Sequence, residues 1–133
     1  MIFVDSNIPM YLIGAPHANK DAARAALERC ITRGERIVTS AEVLQEILHR
    51  YHAIRRLDAI QPAFDALLGV VDEVYPVELV DVKEARDIMM GLAKKGLSAR
   101  DALHAAVMRR RKVDRVMSFA AGFDALGWVE RVS

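Results

Sequence analysis

The chain opens with Met1-Ile2-Phe3-Val4-Asp5-Ser6-Asn7, and this stretch decides the predicted fold. The apolar run from Ile2 to Val4 is typical of a short buried β-strand. It ends in a carboxylate, Asp5, followed by two small polar residues. In an open parallel sheet, ligands bind beyond the carboxyl ends of the strands, so an acid there is well placed for chemistry. Asp is also a good N-cap, and from this stretch alone Asp5 could equally serve only to cap the next helix.

Short apolar segments and amphipathic helical patterns alternate along the rest of the chain. The predicted strands are 2–4, 37–39, 74–80, 115–118 and 128–129. The predicted helices are 8–13, 19–34, 40–55, 60–71, 81–96 and 98–112. Capping-box patterns pair Thr39 with Glu42, Asp81 with Glu84, and Ser98 with Asp101. The alternation predicts one α/β domain over residues 1–133, with a mostly parallel sheet between helical layers.

The composition is that of an ordinary folded protein, with 133 residues, 53% of them hydrophobic and 28% charged. This balance argues against disorder, and the net charge of +1 gives no indication of a partner. The one cysteine, Cys30, excludes an internal disulfide and indicates a reducing compartment such as the cytoplasm. Its place on the apolar face of a predicted helix indicates core filling. We expect neither a signal peptide nor a membrane span, because no apolar run has the required length and flanks.

Three acids lie where a parallel sheet brings distant segments together. Asp5 follows the first strand, Glu46 lies about two turns into the helix after the second strand, and Asp101 lies in the first turn of an apolar helix. Helices that follow parallel strands start at the carboxyl edge of the sheet, so these side chains can face one pocket. Clustered carboxylates repel one another unless a cation lies among them, and Mg²⁺ prefers oxygen ligands. The pattern therefore indicates a metal site suited to phosphodiester hydrolysis.

Each of these acids also has a purely structural interpretation. Asp101 can complete a capping box with Ser98, and Glu46 can be a solvated residue at the margin of its helix's apolar stripe. Against this, an acid beside a helix that is apolar on nearly every side is costly to keep near a core. That cost favours a functional role for Asp101.

Other sequence signals are weak. His49, His52 and His104 lack the spacing of a zinc site, and we interpret them as surface or packing residues. The sequence has no Gly-rich nucleotide loop and no GxSxG motif, which weighs against nucleotide cofactors and acyl hydrolysis. Basic residues could follow a nucleic-acid backbone, but helix-end dipole pairing and solvation explain them equally well. These residues are Arg50, Arg55, Arg56, Lys94, Lys95 and the run from Arg109 to Lys112.

Three segments resemble PIN-domain proteins, and in particular the VapC toxins of bacterial and archaeal toxin–antitoxin pairs. They are Ile2–Asn7, Thr39–Ile47 and Leu97–Ala106, which follow one another in the family's order. The resemblance implies a three-layer α/β/α sandwich and a Mg²⁺- or Mn²⁺-dependent endoribonuclease that cleaves RNA. It also implies a homodimer whose activity is inhibited by a cognate VapB antitoxin.

The resemblance also implies roles for individual residues. Asp5, Glu46 and Asp101 match the acids of the family's metal pocket. Asp5 and Asp101 would hold the metal most directly, and Glu46 would act through a water. Ser6 and Asn7 would support the pocket.

One departure from the family pattern concerns the stretch Ser118-Phe119-Ala120-Ala121-Gly122-Phe123-Asp124. The resemblance places Ser118 near the scissile phosphate and implies a further acid two residues later, where this chain has Ala120. Either the chain was altered to disarm a toxin, or it is a naturally altered member, or Asp124 supplies the carboxylate instead. We favour disarming, because alanine is the usual replacement for a catalytic acid and the other acids are present.

Two other functions compete with that of an active nuclease. Ala120 favours a pseudonuclease, which is a binding module that binds RNA or antitoxin without cleaving RNA. A phosphatase or receiver-like domain is less consistent with the sequence. It lacks a second Asp two residues after Asp5, and no suitably placed Lys is evident.

Overall fold

The computed structural model describes residues 1–92 and 95–133 and contains a five-stranded sheet in which every pairing is parallel. The strands are β1 (Ile2–Val4), β2 (Ile37–Ser40), β3 (Glu73–Tyr75), β4 (Arg115–Met117) and β5 (Glu130–Val132). Their order across the sheet is β3-β2-β1-β4-β5. The strand that opens the chain is therefore central, and all three of its residues are fully buried.

Helices flank this sheet and give the α/β/α architecture that was predicted. The described helices are α1 (Asn7–Ile13), α2 (Ala18–Thr32), α3 (Ala41–Ala53), α4 (Ile60–Leu68), α5 (Leu79–Leu92) and α6 (Ala99–Arg110). Two 3₁₀-helices, Leu57–Ala59 and Ala121–Ala125, lie in connections. Cys30 fills the core, as expected from its helix face. Among the described residues, no helix combines the length and apolarity needed to cross a bilayer.

The parallel arrangement decides where the functional side chains meet. β1 and β2 lead directly into α1 and α3, so both helices begin at the carboxyl edge of the sheet. α6 also begins at this edge, because it must return the chain to the start of β4, which is parallel to β1. Asp5, Glu46 and Asp101 are thereby brought to the same side of the molecule.

Some predicted boundaries are wrong. The strand predicted over 74–80 ends at Tyr75, because Pro76 has no N–H to donate to a ladder. Leu79 and Val80 start α5 instead, with largely exposed side chains. The last strand is Glu130–Val132 rather than 128–129. The predicted end of the fifth helix, 94–96, falls partly outside the described residues.

Two predicted capping boxes do not form. The hydroxyl of Thr39 donates to the carbonyl of Val4 across the sheet (2.8 Å), so Glu42 has no cap partner there. Asp81 lies inside α5 rather than before it, and its carboxylate accepts the backbone N–H of Glu78 (2.9 Å). Thr39 thus joins two strands, and Asp81 stabilises the first turn of its helix from within.

Asp81 also forms the best-defined buried ion pair of the fold. Its side chain is 1% exposed and accepts two bonds from Arg110, at 2.7 and 2.8 Å, which join α5 to α6. Burial alone would raise the pKa of Asp81, but the bonds from Arg110 and from the Glu78 N–H hold it below its ordinary value. A carboxylate whose pKa is lowered by folding stabilises the protein at neutral pH, and this contribution is lost as the pH falls through the folded-state pKa.

We predict that Asp81→Ala lowers the free energy of unfolding by about 2 kcal/mol at neutral pH. The estimate is moderate because Arg110 is partly exposed and can be solvated once its partner is gone. Asp87→Ala is the matched control, since Asp87 lies on the same helix in an exposed pair with Arg86. Urea denaturation measures both. Equal losses in the two variants would contradict the role given to the buried pair.

Candidate active site

A cavity of about 540 Å³ opens at the carboxyl edge of the sheet. The three acids predicted to form a pocket, Asp5, Glu46 and Asp101, all line it. The structure therefore brings together residues that are 41 and 55 positions apart in the chain. Arg50 and Arg100 line the same cavity, and both side chains are exposed.

Asp5 is buried, and hydrogen bonds hold both of its carboxylate oxygens. Oδ1 accepts the backbone N–H of Ser6 at 2.7 Å, and Oδ2 accepts the hydroxyl of Ser118 at 2.6 Å. The amide of Asn7 donates to Oδ2 at 3.3 Å and to the Ser118 hydroxyl oxygen at 3.1 Å. Ser6 and Asn7 thus lie where supporting residues were expected.

Ser118 lies in a different place from the one predicted. Its side chain is fully buried beneath Asp5 and is not part of the cavity lining, so it cannot lie against a phosphate in the cavity. Its hydroxyl instead links Asp5 to the loop after β4, because its oxygen also accepts the N–H of Ala120 at 3.0 Å. The structure places Ser118 as a support for Asp5.

Glu46 is buried between a serine and a histidine. Its Oε2 accepts the Ser6 hydroxyl at 2.8 Å, and its Oε1 contacts Nε2 of His104. Burial would raise the pKa of Glu46, but the bonds from His104 and Ser6 keep it below its ordinary value. The expectation that Glu46 could be a solvated residue is therefore wrong.

His104 belongs to this cluster, contrary to its interpretation as a surface or packing residue. It is fully buried, and its Nε2 lies 3.6 Å from Oδ1 of Asp5 as well as against Glu46. Burial would lower the pKa of His104, but the Glu46 bond and the nearby carboxylates raise it. One signal could have identified it: His104 is the only polar residue in the run from Ala102 to Met108, one turn after Asp101. His49 and His52 are exposed, as expected.

Asp101 has fewer bonds to its carboxylate than the other two acids, because among the described residues the Ser98 side chain is the hydrogen-bond partner that lowers its pKa. Its backbone N–H is capped by the Ser98 hydroxyl at 3.1 Å, so the predicted cap forms and leaves the carboxylate for another role. Gly122 allows the neighbouring loop to approach, since a Cβ there would lie 3.0 Å from Oδ2 of Asp101. Burial, together with the charge of Asp5, raises the pKa of Asp101 to about 6.

Asp124 does not replace the missing acid. Its carboxylate accepts two bonds from Arg131, both at 2.9 Å, and Asp124 is not part of the cavity lining. The Arg131 bonds lower the pKa of Asp124. Ala120 does line the cavity, so the position expected to hold a further acid faces the cluster with a methyl group.

We predict that Asp101→Asn stabilises the protein in the absence of added metal, to an extent that depends on pH. The folded-state pKa of about 6 lies above the ordinary value of 3.8. Below pH 3.8 the carboxyl is protonated in both folded and unfolded states, so the substitution removes no charge penalty. The increase in the free energy of unfolding grows between pH 3.8 and about pH 6 and is complete above pH 6, where we expect it to be about 1–2 kcal/mol.

Urea denaturation at about pH 4 and about pH 8 tests this prediction. Asp21→Asn, at an exposed acid on α2, is the control and should show no such difference. An Asp101→Asn effect of equal size at both pH values would contradict the charge penalty.

The sequence and the fold both match known proteins. The family model for the PIN domain matches residues 2–129. Ribonuclease VapC13 of Mycobacterium tuberculosis is 58% identical over all 133 residues, covering 100% of both chains. Ribonuclease VapC23 of the same species is 40% identical over 119 residues, which cover 90% of this chain and 92% of that protein.

Solved structures agree with this assignment. The crystal structure of Mycobacterium tuberculosis VapC20, described as a toxin that cleaves the sarcin-ricin loop, has a TM-score of 0.79 and 26% identity over the whole of both chains. VapBC2 from Rickettsia felis, solved bound to a fragment of its promoter DNA, has a TM-score of 0.73 at 19% identity and 100% coverage of both chains, and therefore supports the fold. The chain belongs to the PIN-domain family, and within it to the VapC ribonucleases.

Proposed function

We propose that this protein is the toxin of a type II toxin–antitoxin pair and acts as a metal-dependent endoribonuclease. The observation that supports this most strongly is the cluster of Asp5, Glu46 and Asp101 in the lining of one cavity, with the pKa of Asp101 raised to about 6. Relatives that match the whole chain are named as VapC ribonucleases. Strongly perturbed acids in a cleft are typical of functional sites.

The donor set fits a hard divalent cation. Asp5, Glu46 and His104 each offer a ligand atom within 4.8 Å of the others, and Asp101 adds a carboxylate to the lining of the same cavity. Oxygen-rich sites of this kind suit Mg²⁺ or Mn²⁺, which usually bind few protein carboxylates and keep several waters. Asp5 and Asp101 would hold the ion most directly, as the resemblance implies, and Glu46, which bonds Ser6 and His104, would act through a water.

A divalent ion bound there would activate water and offset the negative charge that develops on the phosphate. Glu46, fixed by Ser6 and His104, would orient the attacking water for in-line displacement. Ser118 and Asn7 would keep Asp5 in place during the reaction, because they bond the same oxygen, Oδ2.

The rim of the cavity suits an RNA backbone. Arg50 and Arg100 are exposed, and neither forms an ion pair within the described part of the chain. Arginines arranged in this way neutralise phosphates without reading sequence. The acids at the floor would repel the same phosphates, so the bound cation is also needed for the substrate to approach.

The partners that we propose are an RNA substrate and a cognate VapB-type antitoxin. Several solved relatives were determined as toxin–antitoxin complexes, among them VapBC-1 of nontypeable Haemophilus influenzae, whose fold this chain shares with a TM-score of 0.69. We further propose that the protein is a homodimer that acts in the cytoplasm, where its RNA substrate is found.

A second candidate, a pseudonuclease that grips RNA or antitoxin without cutting, is favoured by one observation. Ala120 faces the cavity where the family pattern has an acid, so the cluster contains one carboxylate fewer. Cleavage of RNA by the unaltered chain with added Mn²⁺ separates the two functions. Binding without any cleavage would support the pseudonuclease.

We predict that Asp5→Ala reduces Mn²⁺-dependent RNA cleavage by on the order of 100-fold or more, because the central ligand is lost. Mn²⁺ affinity measured by calorimetry should fall in parallel. Asp21→Ala, at an exposed acid outside the cavity, should leave both unchanged. Cleavage that survives in a purified, folded Asp5→Ala variant would refute the proposed site.

We predict that Ala120→Asp raises metal-dependent cleavage and toxicity on expression, on the order of ten-fold for the cleavage rate, because it adds a ligand. The control is Ala121→Asp, which adds the same charge at the exposed neighbouring position. If Ala120→Asp changes neither cleavage nor toxicity, the disarming interpretation of Ala120 fails.

A further inference from the structure

One side of the cavity is aromatic and has no part in the acid cluster. The half-buried rings of Tyr11 and Phe119 line it, with centroids 5.2 Å apart and planes at 76°. Edge-to-face pairs of this kind are well-defined packing arrangements that hold each ring in place. Both side chains keep part of their surface toward the cavity, so a planar group that enters it meets an ordered aromatic surface.

This aromatic surface is tied to the acids by hydrogen bonds. The backbone N–H of Phe119 donates to Oδ1 of Asn7 at 3.3 Å, and the amide of Asn7 donates to Oδ2 of Asp5. Tyr11 lies one helical turn after Asn7 on α1. Asn7 therefore connects the backbone of Phe119 and the helix that carries Tyr11 to the carboxylate that we propose as a metal ligand.

From this geometry we propose that Tyr11 and Phe119 form a stacking subsite for a nucleobase next to the phosphate that is cut, an inference that rests on the proposed function. The cavity has three chemically different sides: acids at the floor, arginines at the rim and aromatic rings on one wall. A nucleotide has matching parts, because its phosphate suits the cation and arginines while its base suits the rings.

A peptide segment of a partner protein is the competing occupant, and the arrangement favours RNA. The wall shares its cavity with the carboxylates of Asp5 and Asp101 and with two exposed arginines. A purely apolar side chain would leave these charges without partners, whereas a nucleotide engages both the charged and the aromatic sides. A stacked base must leave its own duplex, so the subsite would accept a nucleotide from an unpaired segment.

The test measures binding of a short single-stranded RNA that carries the fluorescent base aminopurine, in an Asp101→Asn background that prevents cleavage. This background is suitable because the hydrogen bonds of Asn7 go to Asp5, Ser118 and Phe119 and not to Asp101, so the substitution leaves the Asn7 network intact. In this background Tyr11→Leu should weaken binding about ten-fold and reduce the fluorescence quenching, whereas Tyr11→Phe should retain both. Phe119→Leu should behave as Tyr11→Leu does.

A second RNA with an abasic position in place of the analogue separates stacking from a structural role. If the ring stacks on the base, the abasic RNA binds equally to the background protein and to its Tyr11→Leu variant, because that RNA has no base to stack. An equal loss with both RNAs would overturn the proposal. Trp128→Leu is the control, since Trp128 packs against Arg109 outside the cavity, and it should change neither affinity.

Three further outcomes are distinct. If Tyr11→Leu leaves RNA binding unchanged but abolishes inhibition by a VapB-type antitoxin, the wall is a protein-binding surface and the proposal is wrong. If Asp5→Ala leaves cleavage intact, the proposed active site itself fails. If Asp5→Ala abolishes cleavage but Tyr11→Leu has no base-dependent effect, the stacking subsite is wrong and the proposed active site stands.

Discussion

The repulsion among three carboxylates at one edge of the sheet is the constraint on which the rest of the site depends. Asp5 and Glu46 tolerate it because hydrogen bonds engage each of their oxygens, from Ser6, Ser118, Asn7 and His104. Asp101 has fewer donors: a bond from the Ser98 side chain lowers its pKa, but burial and the charge of Asp5 still raise it. The repulsion that remains is what a cation in the proposed site would offset.

Comparison with Asp81 shows that burial alone does not mark a functional acid. Asp81 is less exposed to solvent than Asp101, yet a two-bond contact with Arg110 lowers its pKa, and it joins two helices outside the cavity lining. Asp101 is half-buried, and its pKa is raised although, among the described residues, the charge of His104 lowers it. The presence or absence of a built-in counter-charge therefore separates a structural acid from one that awaits a ligand.

The sequence was sufficient to predict the three acids and the sheet edge where they meet, because strand–helix alternation in a parallel sheet leaves few possible arrangements. Periodicity could not predict side chains whose role depends on a distant partner. In the sequence His104 has the pattern of a core residue, and only the structure shows that Glu46 contacts it. In the same way the sequence gives no partner for Asp124, whereas in the structure Arg131 of β5 bonds it. Local apolar runs were also insufficient near Pro76, where the start of a helix has the composition of a strand.

We expect Ala120 to have opposite effects on stability and on catalysis. The backbone N–H of Ala120 donates to the Ser118 hydroxyl oxygen, and that hydroxyl donates to Asp5, so this loop is joined to the acid cluster. A carboxylate at this position would enter the cavity that also contains Asp101, whose pKa is already raised. Without a cation it would add to the repulsion among the acids. With a cation bound, the same carboxylate would become a ligand. Alanine at this position would therefore reduce the repulsion among the acids in the metal-free protein, but it would leave the metal-bound protein with one ligand fewer. For this reason Ala120 is informative about function although its own side chain takes no part in the reaction.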